Sequence, residues 1–147
     1  MTSRSSCVLA RRQVRLEVGF LASRALNGLR VLLLEDELLI ALEVEQICQD
    51  EGCEQVLTFR DLAEMNDRLA TIPEVDLAII DVVVGSGTTL HFANELRQRK
   101  IPFVFATGLS ANEEVFGEFS GVPVVTKPYA SEKLVQALRT AIAQKAD

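Results

Sequence analysis

Four abrupt polar steps off apolar runs carry the chemistry legible in this sequence. The run LRVLLL at 29–34 ends in Glu35-Asp36, the run at 75–80 ends in Asp81, PFVFA at 102–106 ends in Thr107, and the short run at 123–126 ends in Lys127. Three carboxylates gathered in one cleft repel one another strongly unless a cation sits among them. Hard oxygen donors with room left for water suit Mg²⁺. A carboxylate beside such a cation can act as a nucleophile toward phosphorus and form an aspartyl phosphate. Phosphoryl transfer asks little covalent work of a protein, so the site mainly has to position the group and neutralise its oxygens. A threonine hydroxyl and a lysine ammonium, here Thr107 and Lys127, provide two of those functions and the metal a third. Each residue alone reads as a turn, a cap or a common dipeptide. The signal is the set, placed at successive strand ends.

The elements that must position this set alternate along the chain. The run at 29–34 is followed by a helical stripe of Ile40, Val44 and Ile47 over 38–51. A more polar strand at 53–58 precedes a helix around 62–70, and the strand at 75–80 leads through Gly85-Ser86-Gly87 into a helix at 89–99. After 102–106, the capping box Ser110-Ala111-Asn112-Glu113 starts a short helix. The strand at 123–126 leads into a last helix at 131–144 with Leu134, Leu138, Ala141 and Ile142 on one face. Five strand–helix units in series predict an open parallel sheet covered by helices on both faces. Strands one, three and four are apolar throughout, as befits burial on both faces. The second is half polar and the fifth carries Pro123, so both read as edges. The flavodoxin-like (βα)5 order 2-1-3-4-5 puts those two at the edges, and its ligands bind outside the carboxyl ends of the strands.

Composition narrows the class. The chain has 147 residues, 48% apolar and 24% charged, which fits one ordinary domain and excludes wholesale disorder. No apolar run approaches the ~20 residues of a membrane span. Three cysteines (Cys7, Cys48, Cys53) and one histidine make neither a disulfide framework nor a zinc ligand set, and a reducing, cytoplasmic setting fits. The net charge of −6 hides a division: residues 1–28 hold five arginines against Glu17, while 29–147 hold ten basic and twenty acidic residues. So acidic a body repels nucleic acid. The first 28 residues are set apart as an N-terminal extension, without the uninterrupted apolar stretch of an export signal. Val14, Val18, Leu21 and Ala25 recur at helical spacing before Asn27-Gly28. The extension reads either as a basic amphipathic helix or as a disordered leader.

With these pieces in order, the chain from about 29 to 146 resembles the receiver domain of two-component response regulators, through VLLLEDE, DLAIIDVVVG, FATG and VTKPY. The resemblance implies that Asp81 is the phosphoacceptor, that Glu35, Asp36 and the backbone carbonyl of Val83 hold Mg²⁺ with it, and that Thr107 and Lys127, followed by Pro128, serve the phosphoryl group. PFVFATGLS resembles the PFxFATGY motif of a group of stand-alone receivers, several of which act in general stress signalling, with Leu109 in place of the final tyrosine.

Departures from the family pattern are informative. Val124 stands where many receivers carry a Tyr or Phe that rotates inward, so aromatic–Thr coupling would need Tyr129 or Phe105 instead. Val83 and Leu109, two residues beyond Asp81 and Thr107, are apolar where receivers often help place the hydrolytic water, which implies a long-lived phosphoryl group. His91 reads as a solvated helix residue, Cys48 and Cys53 as core thiols, and Phe103 and Phe105 as core residues on alternate faces of a strand.

The implied function is that of a single-domain response regulator and not an enzyme in its own right. A histidine kinase or histidine-phosphotransfer protein phosphorylates Asp81, and output passes by protein contact to an unknown downstream protein. No DNA-binding or other output domain and no membrane attachment is expected. The surface of the fourth helix, fifth strand and fifth helix would change with phosphorylation and would be the face for a homodimer. A phosphate sink or relay intermediate, and a phosphorylation-independent protein-binding module, are the competing readings. A magnesium-dependent phosphatase of the haloacid dehalogenase type would want an aspartate where Val83 stands.

Overall fold

The computed structural model describes residues 24–68, 74–84, 87–108, 119–128 and 130–146. Five parallel strands form the main sheet: β1 (Arg30–Leu34), β2 (Gln55–Phe59), β3 (Leu77–Asp81), β6 (Phe103–Thr107) and β7 (Val124–Thr126). Their order is β2-β1-β3-β6-β7, which is 2-1-3-4-5 counted along the main sheet. Four helices are described: α1 (Leu38–Asp50), α2 (Leu62–Arg68), α3 (Leu90–Gln98) and α4 (Ser131–Ala146). The short helix and capping box expected near 110 lie outside the described residues. Absent from the sequence reading is a small hairpin, β4 (Val83–Val84) paired antiparallel with β5 (Gly87–Thr88), directly beyond Asp81.

Side-chain alternation along the central strands divides the core in two. Val31, Leu33, Leu77, Ile79, Val104 and Ala106 pack on one face, with α1 and α4. Leu32, Leu34, Ala78, Ile80, Phe103 and Phe105 pack on the other, with α2 and α3. Both faces of the central strands are therefore apolar, which is why these runs read as continuous rather than alternating. Phe103 and Phe105 share one face, contrary to the sequence expectation. Residues two apart in a strand point the same way, and the two rings meet edge-on at 5.4 Å, with Phe119 against both. Edge strand β2 is half-buried, and Thr58 Oγ1 donates to Glu45 Oε2 at 2.6 Å.

Helix α1 buries Ala41, Val44, Ile47 and Cys48, a stripe at helical spacing. It stops in a Schellman turn: the Gly52 N–H donates to Gln49 O at 3.0 Å and the Cys53 N–H to Cys48 O at 3.1 Å. Gly52 has φ of +86°, and a Cβ there would stand 2.7 Å from Asn27 Oδ1, so backbone conformation and space both require glycine. The segment just before β1 takes part in the core. Leu26 is fully buried, which stabilises the fold by about 2 kcal/mol. Its N–H donates to Glu51 O at 3.0 Å and that of Gly28 to Gly52 O at 2.9 Å. Among the described residues no helix is long and apolar enough to cross a membrane.

Candidate functional site

Parallel pairing brings the expected residues to one end of the sheet. Asp81 is the last residue of β3 and lies in register with Ala106, one position before Thr107. Glu35 follows β1 directly, and its N–H donates to Phe59 O at 3.0 Å, which extends the ladder by one step. Thr107 pairs in register with Thr126, and the Lys127 N–H donates to Thr107 O at 2.7 Å. Strand pairing thus fixes Asp81 and Thr107 at the ends of neighbouring strands, with Lys127 directly beyond the end of the next one. The Lys127–Pro128 peptide is cis.

Glu35, Asp36 and Asp81 offer carboxylate oxygens that lie within 4.8 Å of one another. Glu35, Asp81 and Thr107 are buried, and Asp36 is more exposed. The Lys127 ammonium lies between two of the carboxylates, 2.5 Å from Glu35 Oε1 and 2.9 Å from Asp81 Oδ2. A cation is therefore built into the cluster by the chain itself. Burial pushes the Glu35 carboxyl above its ordinary range, against the opposing pull of Lys127 and of the Glu37 N–H, which donates to Glu35 Oε2 at 3.1 Å. Burial alone would lower the Lys127 ammonium, but its bonds to Glu35 and Asp81 outweigh that and hold it above its ordinary value. Three clustered carboxylates of this kind form a hard oxygen donor set that fits a divalent cation of the Mg²⁺ type. Val83, the fourth expected contributor, opens β4 two residues beyond Asp81.

A cleft of about 290 Å³ opens beside these groups, lined by Glu37, Ile40, Glu43, Gly108, Lys127 and Pro128. One residue that the sequence reading placed only at a helix start proves to matter here. Thr89 is fully buried, and its Oγ1 donates to Asp81 O at 2.7 Å and to Val82 O at 3.2 Å. It ties the backbone of the candidate phosphoacceptor to the start of α3. Its signal was a hydroxyl residue of the N-cap type after a glycine turn.

The other expectations divide. His91 is exposed on α3, Cys48 is buried and Cys53 half-buried. Phe105 is fully enclosed among Phe103 and Phe119. Val124 is half-buried against the same cluster. Leu109 and Tyr129 lie outside the described residues.

The family model for the response regulator receiver domain matches residues 31–139. The chain belongs to this family. Receivers are phosphoacceptor signalling domains of two-component systems. Among curated proteins the chain is similar to the transcriptional regulatory protein PdtaR of Mycobacterium tuberculosis, at 29% identity over 118 residues, covering 78% of this chain and 57% of that protein. It thus spans little more than half the length of the curated relatives it matches. Among solved structures, SdrG from Sphingomonas melonis Fr1 is 32% identical with a TM-score of 0.64, over 80% of this chain and 98% of that one. The non-phosphorylated HemR receiver domain from Leptospira biflexa is 19% identical with a TM-score of 0.66, over 79% and 95% of the two chains, and shares the fold.

Proposed function

We propose that this receiver accepts a phosphoryl group on Asp81 from the phosphohistidine of a histidine kinase or histidine-phosphotransfer protein, and signals by phosphorylation-dependent contact with another protein. The observation that carries the reading is the Lys127 ammonium set against both Glu35 and Asp81 at the strand ends. A carboxylate oxygen of Asp81 attacks phosphorus, the P–N bond breaks, and its electron pair leaves with the imidazole. Lys127 holds Asp81 in place and is positioned to pair with a phosphoryl oxygen. The buried Thr107, one register step from Asp81's partner, is within the same neighbourhood to donate its hydroxyl. Glu35, Asp36, Asp81 and the Val83 carbonyl are the residues that would hold Mg²⁺, which when bound supplies charge neutralisation for the transferring oxygens. Thr89 keeps the Asp81 backbone fixed while charge is added to its side chain. The apolar Val83 and Leu109 favour slow loss of the phosphoryl group, and a cytoplasmic setting is in keeping with a kinase donor.

The test is intact mass after incubation with Mg²⁺ and acetyl phosphate, and separately with a phosphorylated histidine kinase, beside Asp81→Asn and an EDTA control. One phosphoryl group on the wild type, lost in Asp81→Asn and in EDTA, is the expected result. No addition from either donor overturns the reading in favour of a phosphorylation-independent binding module.

A further inference from the structure

Thr89 stands at the start of helix α3, yet its hydroxyl does not serve the helix. A threonine in that place ordinarily accepts a hydrogen bond from an N–H of the first turn. Here the Ala93 N–H donates to the Thr89 carbonyl at 3.0 Å and opens the helical ladder, but the side chain makes no capping bond. Its Oγ1 turns back to the end of β3 instead, where it donates to Asp81 O at 2.7 Å and, at 3.2 Å, to Val82 O. A hydroxyl has one proton, so the shorter contact takes most of it. Thr89 is fully buried, and water cannot stand in for it at the Asp81 carbonyl.

The backbone gripped in this way leads from Asp81 to Val83. The Asp81–Val82 peptide is held at both ends, by Thr89 Oγ1 on its carbonyl and by Ala106 O, which accepts from the Val82 N–H at 3.3 Å. The Val82–Val83 peptide is held by the Thr89 N–H, which donates to Val82 O at 3.0 Å. That last bond also sets the pairing type along the hairpin. With Thr89 bonded to Val82, the pair Val83–Thr88 is non-hydrogen-bonded and Val84–Gly87 is the hydrogen-bonded one. The N–H and C=O of a trans peptide point opposite ways. Since the Val84 N–H faces Gly87, the Val83 carbonyl points out of the hairpin, away from β5.

We propose that Thr89 is a positioning residue for the divalent cation: by holding the two peptides between Asp81 and Val83 it sets the Asp81 carboxylate and the Val83 carbonyl relative to each other in advance of binding. The proposal rests on the reading of this cluster as the Mg²⁺ site of a phosphoacceptor. Without the hydroxyl the Asp81–Val82 peptide keeps only the long bond from the Val82 N–H, and the two oxygens must be ordered at the moment of binding, which weakens affinity. Removing a partner that orients a metal ligand costs about 10–100-fold in affinity.

Mn²⁺ alone, titrated into the full chain without a phosphodonor and followed by the electron paramagnetic resonance signal of the free ion, tests it. Thr89→Val is expected to bind Mn²⁺ about tenfold more weakly than the wild type, and Thr89→Ser, which keeps the hydroxyl, to bind as the wild type does. Thr89→Cys, close in size but a weak donor, is expected to fall between them, and carries the test if the valine variant does not fold. Ala141→Gly loosens the buried face of α4 away from the site and is expected to leave affinity unchanged. Wild-type affinity in both Thr89→Val and Thr89→Cys, or an equal loss in Ala141→Gly, overturns the proposal alone. A wild type that takes up no Mn²⁺ overturns the metal-site reading and this proposal with it. Mn²⁺ binding lost in Thr89→Val and kept in Thr89→Ser upholds the proposal even where Asp81 then accepts no phosphoryl group, so the two readings can fail separately.

Discussion

Removing the Lys127 ammonium while keeping its aliphatic stem, as in Lys127→Met, tests whether this side chain holds the acidic cluster together. Lys127 is 10% exposed, Glu35 2% and Asp81 10%, so neither carboxylate can turn to bulk water for compensation. Taking one partner from a buried ion pair costs about 3–5 kcal/mol, and partial solvent access at Lys127 places the expected loss near the lower end, about 3 kcal/mol at neutral pH. For a domain of this size that lowers Tm by about 10 °C. Urea denaturation followed by far-UV circular dichroism in metal-free buffer measures it. The double variant Lys127→Met/Glu35→Gln should recover about half of the loss, because it also removes the repulsion between Glu35 and Asp81. The pH profile carries a sign. Burial already raises Glu35 above its ordinary value of 4.5, so the stability linked to it is full below that value and is lost as pH rises through the folded one. Without Lys127 the carboxyl rises further, so the deficit of Lys127→Met should widen between pH 4.5 and 7. A loss under about 0.5 kcal/mol, or strict additivity in the double variant, would refute the reasoning.

Three further expectations rest on other features. Thr89→Val keeps the shape of a fully buried side chain but leaves the Asp81 carbonyl without its 2.7 Å donor, so urea melts should show a loss of about 1–2 kcal/mol, and phosphoryl acceptance at Asp81 should slow. Lys100 closes α3 with φ of +60°, while the Ile101 N–H donates to Leu96 O at 3.0 Å, a Schellman turn with lysine in the glycine place. Lys100→Gly should therefore raise stability by about 0.5–1 kcal/mol, and an unchanged or lower Tm would count against the strain argument. Burial pushes the Cys48 thiol up to about 12, so stability linked to it is full below its ordinary value of 9.0 and falls as pH rises toward the folded one. The unfolding free energy should drop by about 1 kcal/mol between pH 9 and 10, and Cys48→Ala should remove most of that slope.

The sequence by itself determined which residues could do chemistry and the class of sheet that would carry them. Continuous apolar runs at 29–34 and 102–106, each broken by a polar residue, report burial on both faces and a strand end in one signal. The half-polar second strand and Pro123 marked the edges because an edge strand tolerates both. What the sequence could not hold was the set of relations that depends on register. Parallel pairing of Asp81 with Ala106 and of Thr107 with Thr126 decides that the groups meet, and it places the Lys127 ammonium between Glu35 and Asp81 across a separation of 92 residues. Thr89 acquires its role only because the β4–β5 hairpin folds the start of α3 back onto the Asp81 carbonyl. The exposure of Leu38, Leu39 and Leu42 was equally hidden, since their helix has apolar residues around most of its circumference. The packing of α1 against the sheet chose Ala41, Val44 and Ile47 for the core and left the leucines facing out. Periodicity and residue type are local properties written along the chain, whereas pairing register and the choice of buried face are settled only when distant segments compete for the same contacts.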